Sequence, residues 1–385
     1  MDSKNTQRYY LGVFFFLVGI LFSSWASRIP TIKSQFNFND AELGTLLFAM
    51  PVASMIGLPI SGFLVSRFDS RVPLAFSFAG LSISLTLISL AVNPLTLTAA
   101  ICLFSFSMRI VNIAINTQAI TLQKLFDRNI NGTFHGLWST GGIAGVGIST
   151  LMLSMDISMS VHFLVVTVLT LLAAFLSFKH LLKNDRASSG NKLIIGKPDP
   201  YIFFLGIIVF FSAICEGGMF DWSGIYFREV VGEEIFTAGY LIFMTFMALS
   251  RFVSDRIVEK IGMPRTYILS GSAIMTGILM AIIFPYFWPS LIGFSLVGFG
   301  TASIIPMTFT LAGLSKKYSS GMAISIVTTY VIAGMLSGPP MIGYLAHAFG
   351  LKNAFIAFAI AGFLLIPVPQ LFFRYKKSLE RETAV

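Results

Sequence analysis

The sequence contains very little charge for its length. Only 11% of its 385 residues are charged and the mean hydropathy is +0.82, whereas about a quarter of residues are charged in an average globular domain. So few charges do not cover the surface of a soluble domain, and lipid must therefore form part of its surroundings. Bases outnumber acids by 26 to 17. This excess does not indicate nucleic-acid binding, because the bases are confined to short segments between apolar runs.

Residues that carry covalent or metal chemistry are also scarce. The two cysteines, Cys102 and Cys215, lie within apolar runs and do not form a secreted disulfide pattern. The four histidines are scattered, without the spacing of metal ligands. The sequence shows no nucleophile–base pair, no phosphate-binding loop and no soluble catalytic segment. We therefore expect no enzyme activity, no metal and no cofactor.

Twelve apolar segments are long enough to cross a membrane, since a helix needs about 20 such residues to span ~30 Å of hydrocarbon. They are residues 9–28, 43–65, 72–92, 95–120, 132–153, 159–180, 201–223, 236–257, 266–285, 289–313, 321–346 and 352–374. We predict an all-α polytopic membrane protein. Its six-helix domains would be residues 1–180 and 201–385, joined by a polar central cytoplasmic loop at 181–200.

The distribution of lysine and arginine predicts the orientation, because cytoplasmic loops are enriched in these residues. With both termini inside, 21 of the 26 bases, Arg251 among them, fall in inner loops and tails. Arg109 lies within a span, and four bases fall outside: Arg28, Lys33, Arg228 and Lys352. We predict a multi-pass protein of the bacterial inner membrane with cytoplasmic termini.

The two halves of the chain repeat each other. WASRIP…ELGTLLF at 25–48 is matched by DWSGIY…TAGYLIF at 221–243, and GFLVSRFDSR at 62–71 by RIVEKIGMPR at 256–265. Parallel six-span repeats are common in secondary transporters, which bind substrate between the halves near the bilayer midplane.

The chain resembles the major facilitator superfamily over essentially its whole length. The segment between spans two and three is similar to that superfamily's signature, Gly-x-Leu-x-Asp-Arg-x-Gly-Arg-Arg, matching it at Gly62, Leu64, Arg67 and Arg71. It departs from the signature at Ser66, where the family usually has aspartate, and at Asp69, where the family has glycine. The resemblance implies the twelve-helix fold of that superfamily.

Three further segments resemble one bacterial subgroup of the superfamily. They are WASRIP at 25–30, FHGLWSTGG at 134–142 and EGGMFDW at 216–222. The subgroup includes the rhizopine-related membrane protein of rhizobia and is distantly similar to fucose permeases. This similarity says little about the substrate.

Span seven carries two carboxylates, Glu216 beyond the predicted midplane and Asp221 near the predicted outer mouth. An isolated carboxylate in a low dielectric tends to keep its proton, which makes both residues candidates for proton coupling. Gly217 and Gly218 weaken the helix there, so that its outer half is predicted to bend as a gate. The alternative is that Glu216 is permanently paired with a cation and only holds two helices together.

Span four places Arg109, Asn112 and Asn116 at i, i+3 and i+7, which is one helical stripe. Arg109 stays protonated and must therefore meet a carboxylate, an anionic ligand or water, while the two asparagines suit hydroxyls or amides. We predict that this stripe binds substrate, the alternative being a polar contact between helices. Arg109 is also a predicted partner of Glu216, with Arg28 as a rival; Gln118 points away from the stripe.

Aromatic and histidine side chains are further candidates for substrate binding. Trp25 and Trp222 offer an apolar ring face and one donor, although tryptophans near the outer interface also anchor helices to headgroups. His135 and Trp138 lie one turn apart in the predicted cytoplasmic part of span five. The pair is predicted to line the inner cavity; otherwise His135 is a packing residue.

Charged residues follow spans two and eight at their predicted inner ends. We predict that they form a cytoplasmic gate, acting as a network because an exposed ion pair contributes little alone. The alternative for the bases is the ordinary positive-inside distribution. The predicted gate residues are Arg67, Asp69, Arg71, Asp255, Arg256, Glu259, Lys260 and Arg265.

These features lead to two functional hypotheses. The first is a proton-coupled symporter that moves a small polar solute, such as a sugar, a cyclitol or a related metabolite, by alternating access. The second is a proton-driven exporter of amphiphilic compounds or of a small organic anion, which Arg109 and the 39 phenylalanines and 17 methionines would suit. The expected partners are the solute, protons and the lipid bilayer, with no nucleic acid, and we expect a monomer.

Overall fold

The computed structural model describes residues 3–127, 130–183, 185, 199–318 and 320–382. The regular elements in these ranges are helices, as expected where lipid leaves backbone groups no partner outside their own segment. They are α1 (Lys4–Ala26), α2 (Ile29–Gln35), α3 (Asp40–Arg67), α4 (Arg71–Ser89), α5 (Pro94–Gln123), α6 (Asn131–Ser154), α7 (Met159–Phe178), α8 (Pro200–Tyr226), a π-helical segment (Phe227–Val231), α9 (Thr237–Ile261), α10 (Met263–Ile283), α11 (Phe287–Gly313), α12 (Ser320–Phe349), α13 (Leu351–Ala354), α14 (Ile356–Leu364) and α15 (Pro367–Glu382).

The described residues form 12 helical stretches that are long and apolar enough to cross a membrane. The predicted all-α, twelve-span fold is therefore confirmed. The first stretch consists of α1 and α2, the seventh of α8 and the π-helical segment, and the last runs from α13 into α15.

The first span extends beyond its predicted end at residue 28. The helix breaks at Ser27 and Arg28, and α2 then continues to Gln35. Pro30 lies in the first turn of α2, where its missing N–H costs no helical hydrogen bond. Lys33, which was predicted to lie in a loop on the outer side of the membrane, is consequently a buried residue of this short helix.

The last span is also interrupted. Turns at Phe355 and at Leu365–Ile366 separate α13, α14 and α15. The second turn directly precedes Pro367, and a residue before proline is disfavoured in the helical conformation. The single helix predicted for 352–374 is therefore three helices.

Contacts between helices divide the chain into two units, one within Met1–Asn37 and Leu46–Lys192, the other within Phe38–Thr45 and Leu193–Val385. Both units use the same pairs of helices. In the first unit α1 packs on α6, and α4 on α5 and α7; in the second unit α8 packs on α12, and α10 on α11 and α14. These are corresponding spans of the two halves, in agreement with the repeat in the sequence.

Small residues permit close packing between helices in each unit. A Cβ on Gly145 of α6 would lie 2.7 Å from the Ile20 carbonyl oxygen of α1, and one on Gly334 of α12 would lie 2.9 Å from Cβ of Ala213 in α8. The glycine-rich segments at 141–147 and 334–343 thus serve close helix approach, as is common in membrane bundles.

A methyl group at this contact should separate α1 from α6. We expect Gly145→Ala to lower the stability of the protein in detergent by about 1–3 kcal/mol, the usual effect of overpacking. Thermal unfolding followed by intrinsic fluorescence would measure it. Gly147→Ala is the matched control, because a Cβ there meets nothing within 4 Å and both substitutions gain the same helix propensity. Equal unfolding midpoints for the two variants would contradict the close contact.

Candidate functional site

Glu216 of α8 forms an ion pair with Arg251 of α9 in the second unit. Nη2 of Arg251 lies 3.6 Å from Oε1 of Glu216, and the two side chains are 33% and 11% exposed, respectively. The same Nη2 is 3.8 Å from Sδ of Met247, one turn earlier in α9. A carboxylate and a guanidinium thus face each other between two helices of the membrane-spanning region.

Arg251 is a candidate functional residue that the sequence analysis did not select, since it was counted among the bases of the inner loops. The structure places it within the apolar helical stretch Thr237–Ser254. A signal for this position exists in the sequence. Met244, Met247 and Ala248 form a buried face of α9, and Arg251 continues that face at the next helical position.

Asp221 is half-buried in α8, about one and a half turns beyond Glu216. The helix continues through Gly217 and Gly218 without interruption. A Cβ on Gly218 would overlap the ring of Phe358 from α14, so this glycine allows close packing. Bending of α8 at the two glycines stays a prediction, as does proton coupling through Asp221.

The predicted substrate-binding stripe lies on α5 of the first unit. Arg109, Asn112 and Asn116 are all half-buried. Nε of Arg109 donates to Oγ of Ser54 in α3 at 2.8 Å, and Nδ2 of Asn116 donates to the Asn112 carbonyl oxygen at 2.7 Å. In the described part of the first unit, no carboxylate pairs with Arg109. The guanidinium thus retains N–H groups for another partner.

Arg109 and Glu216 each contact a residue of their own unit, Ser54 and Arg251 respectively. Their predicted pairing stays a prediction. Arg28, the rival partner of Glu216, is 2% exposed and bonded within the first unit. Its Nε donates to Nδ1 of His162 at 3.3 Å, and its Nη2 donates to the Ile157 carbonyl oxygen at 3.1 Å.

The contacts of Arg28 join the break after α1 to the start of α7. His162 is fully buried, and its Nε2 lacks a hydrogen-bond partner among the described residues. Because Nδ1 accepts from Arg28, the proton of a neutral imidazole must be on Nε2. These bonds account for Arg28 as a link between helices; its contact with substrate stays a prediction.

The candidate tryptophans differ in burial. Trp25 is 1% exposed and packs near Phe104, while Trp222 is fully buried. Neither position is that of a headgroup anchor, and both indoles are accounted for by packing within their units. Trp138 is half-buried, with its ring 6.1 Å from that of Phe22. His135 is exposed, one turn earlier in α6. Substrate contact through these four residues stays a prediction.

The residues of the predicted cytoplasmic gate differ in burial, and a contact is described for Arg71. Arg71 is half-buried at the start of α4, with its guanidinium carbon 5.7 Å from the centre of the Phe178 ring of α7. Asp69 is half-buried, and the side chain of Asp255 lies outside the described residues. The exposed members are Arg67, Arg256, Glu259, Lys260 and Arg265. Their action as a gate stays a prediction.

Comparison with known sequences identifies the fold as that of a transporter family. The sequence model of the Major Facilitator Superfamily matches residues 9–315 and 264–384. The chain belongs to the Major Facilitator Superfamily. It is therefore a secondary transporter, which moves a small molecule across a membrane, and not an enzyme.

Two relatives within the superfamily align with nearly the whole length of this chain. An uncharacterised transporter of this superfamily from Yersinia pestis is 32% identical over 358 residues, which are 92% of this chain and 92% of the relative. Membrane protein MosC of Rhizobium meliloti is 31% identical over 375 residues, 96% of this chain and 90% of MosC. The predicted similarity to the rhizopine-related membrane protein is thereby confirmed.

Solved structures share the fold at low sequence identity. The nucleoside transporter NupG superposes with a TM-score of 0.77 at 14% identity, covering 96% of this chain and 99% of NupG. A bacterial homologue of the human lysosomal transporter Spinster, in an inward-facing and unoccupied conformation, superposes with a TM-score of 0.75 at 15% identity. That comparison covers 97% of this chain and 98% of the homologue.

Removing Arg251 should leave the Glu216 carboxylate buried without its cation. We expect Arg251→Ala to destabilise the protein, by less than the ~3–5 kcal/mol typical of a fully buried pair, because the Arg251 side chain is 33% exposed. Thermal unfolding in detergent would measure the loss. Adding Glu216→Gln should recover part of it, since the unpaired charge is then gone.

Lys260→Ala is the control, on an exposed position of the same helix. It should change stability by no more than ~0.5 kcal/mol. An Arg251→Ala variant as stable as this control would show that the ion pair contributes nothing to the fold.

Proposed function

We propose that this transporter is a proton-coupled symporter of a small polar solute, such as a sugar, a cyclitol or a related metabolite. It would work by alternating access in the bacterial inner membrane, with both termini in the cytoplasm. The single observation that carries the proposal is the Glu216–Arg251 pair, at 3.6 Å, in helices long and apolar enough to span the membrane.

A carboxylate in such a helix is a natural proton carrier, because ionisable residues inside membranes are rare and mark ion or proton pathways. When Glu216 is ionised, Arg251 compensates its charge. When Glu216 takes a proton, the pair is broken and the guanidinium becomes available to another acceptor. Proton binding is thereby linked to the rearrangement of a contact between α8 and α9, as symport requires.

The α5 stripe supports a solute that carries hydroxyl or amide groups. Arg109 is bonded through Nε to Ser54, so that its terminal N–H groups remain as donors. Asn112 keeps its side-chain amide for both donation and acceptance, since the described bond of Asn116 is to the Asn112 main chain. The solved neighbour NupG is named as a nucleoside transporter, and nucleosides are solutes of this chemistry.

The second candidate is proton-driven export of a small organic anion or an amphiphilic compound. Arg109 favours an anion, since no carboxylate pairs with it in the described part of the first unit. The two candidates differ in the direction of solute movement relative to the proton. If adding the solute to a cell suspension makes the external medium more alkaline, protons enter the cells with the solute, which indicates symport. Export driven by the same proton gradient would not produce this response.

A binding screen tests the class of solute. Purified protein would be screened by thermal shift against sugars, cyclitols, nucleosides and organic acids. We expect a polar, hydroxylated compound to raise the unfolding midpoint, and Arg109→Gln together with Asn112→Ala to abolish that rise. Stabilisation by organic anions alone would favour the second candidate, and no stabilisation by any of the four classes would refute the proposed solute.

Glu216→Gln tests the coupling. In proteoliposomes with an imposed pH gradient, the wild type should accumulate the solute found in the screen. The variant should lose accumulation but keep exchange of labelled for unlabelled solute, because a permanently neutral side chain does not release a proton. Glu234→Gln, on an exposed residue beyond α8, is the control and should accumulate normally. Gradient-driven accumulation by Glu216→Gln would refute proton coupling through this residue.

A further inference from the structure

A separate buried polar cluster joins three elements of the first unit. Its members, Ser70, Gln118, Leu182 and Asp185, are here named the Asp185 cluster. Ser70 directly precedes α4, Gln118 lies in the last part of α5, and Leu182 and Asp185 follow α7. All are buried, with Asp185 only 5% and Gln118 only 1% exposed. An aspartate is almost never buried to this extent unless it is paired.

The hydrogen bonds of the cluster form a continuous chain. The Ser70 main-chain N–H donates to Oδ1 of Asp185 at 2.9 Å, and the Ser70 hydroxyl donates to Oδ2 of the same carboxylate. Nε2 of Gln118 donates to Oγ of Ser70 at 2.8 Å and to the Leu182 carbonyl oxygen at 3.1 Å. Oε1 of Gln118 accepts from the Leu182 N–H at 3.0 Å.

Donors and acceptors match throughout this chain. Both amide hydrogens of Gln118 and its oxygen are used, and both oxygens of Asp185 accept. The bonds to Leu182 fix the orientation of the Gln118 amide. If the amide were flipped, its oxygen would face the Leu182 carbonyl oxygen and its NH₂ group would face the Leu182 N–H. A buried cluster with every member satisfied is rigid and depends on each of its members.

Asp185 also compensates the start of α4. The first N–H groups of a helix have no partner inside it, and the helix N-terminus carries a partial positive charge. Ser70 is the residue before α4, and its own side chain does not cap the helix. The carboxylate at this end comes instead from Asp185, 115 residues further along the chain.

The residues that follow α7 are fastened to the first unit. Although α7 ends at Phe178, Leu181 and Leu182 are buried, and the ring of His180 stacks on that of Tyr10 in α1 with centroids 4.0 Å apart. Residues 180–182 and 185 are therefore fastened to the first unit, although most of them belong to the predicted central loop. The segment Phe68–Ser70, which joins α3 to α4 and carries Asp69, is held at its last residue by Asp185.

We propose that Asp185 is a positioning residue for transport. It fastens the beginning of the connection between the two halves to the segment before α4 and to α5, so that the ends of α4, α5 and α7 move as one body. It also holds in place the short segment Phe68–Ser70, which carries the predicted gate residue Asp69 and lies between two others, Arg67 at the end of α3 and Arg71 at the start of α4. This role needs rigid six-helix units but does not depend on proton coupling through Glu216.

Hydrogen–deuterium exchange on the purified full chain tests this role without knowledge of the solute. The amides of Ser70 and Leu182 donate within the cluster. We expect Asp185→Asn and Ser70→Ala to speed exchange about tenfold or more in peptides covering residues 67–74 and 179–185. Peptides from α10 and α11 should exchange as in the wild type. Unchanged exchange in both cluster peptides, or an equal rise throughout the protein, would overturn the proposal.

Exchanging the two side chains separates a specific role of the pair from general destabilisation. Asp185→Ser removes the charge, and Ser70→Asp places two carboxylates together, so that each alone should speed exchange. The double variant restores one carboxylate and one hydroxyl, so that a charge-assisted hydrogen bond can form again between the two positions, and should recover most of the protection. A double variant no better protected than the single variants would contradict the pairing.

Two controls match the chemistry of these changes. Ser66→Ala removes a hydroxyl whose described bond, at 2.8 Å, is to the Phe63 carbonyl oxygen within α3. Lys183→Gln alters an exposed charge between Leu182 and Asp185. Both should leave exchange in the cluster peptides unchanged. An effect of either control as large as that of Asp185→Asn would mean that any change in these segments loosens them, and the specific role of Asp185 would be lost.

Discussion

The low dielectric of the membrane interior makes every buried charge dependent on a partner from another helix. In the second unit, Glu216 of α8 meets Arg251 of α9. In the first unit, Arg28 is held by His162 of α7 and the Ile157 carbonyl oxygen. Asp185, which lies beyond the membrane-spanning helix α7, is likewise held by Ser70 before α4. Each contact joins different elements and lies within one unit. Buried charged side chains in this protein therefore hold elements of each unit together, in addition to being candidates for proton and solute binding.

The two units share a scaffold but differ in their polar contacts. Corresponding spans pair in the same way in both units, and small residues allow the closest approach of α1 to α6 and of α8 to α12. The first unit holds the buried Arg28 and the half-buried Arg109, whose described partners are neutral. The second unit holds an acid and a base that neutralise each other. A repeated backbone thus carries asymmetric chemistry, which a proton-coupled transporter requires if one half binds solute and the other binds the proton.

Much of the fold was predictable, because each span is a local property. An apolar run of about 20 residues must form a helix in lipid whatever its neighbours are, and all twelve spans were found. Errors arose at the ends. The break at Arg28 and the turns around Phe355 and Leu365 depend on proline and on packing rather than on hydrophobicity. Arg251 was misplaced for a related reason: near a predicted boundary, a positive charge is typical of a loop. The structure places it within an apolar helical stretch, with its side chain 33% exposed and paired with Glu216.

The same distinction between local sequence and packing applies to the candidate site. By itself, the sequence determined which residues are anomalous in an apolar chain, and so Glu216, Arg109 and Asn112 were selected as candidates from composition and helical spacing alone. Only the tertiary structure decided what each of them contacts, because Ser54, Arg251, His162 and Asp185 are ordinary residues until folding brings them against a buried charge. Partner choice depends on which helix faces pack together. That is a property of separate segments meeting. Local sequence can indicate which face of a helix is buried, but it does not specify which other helix packs against that face.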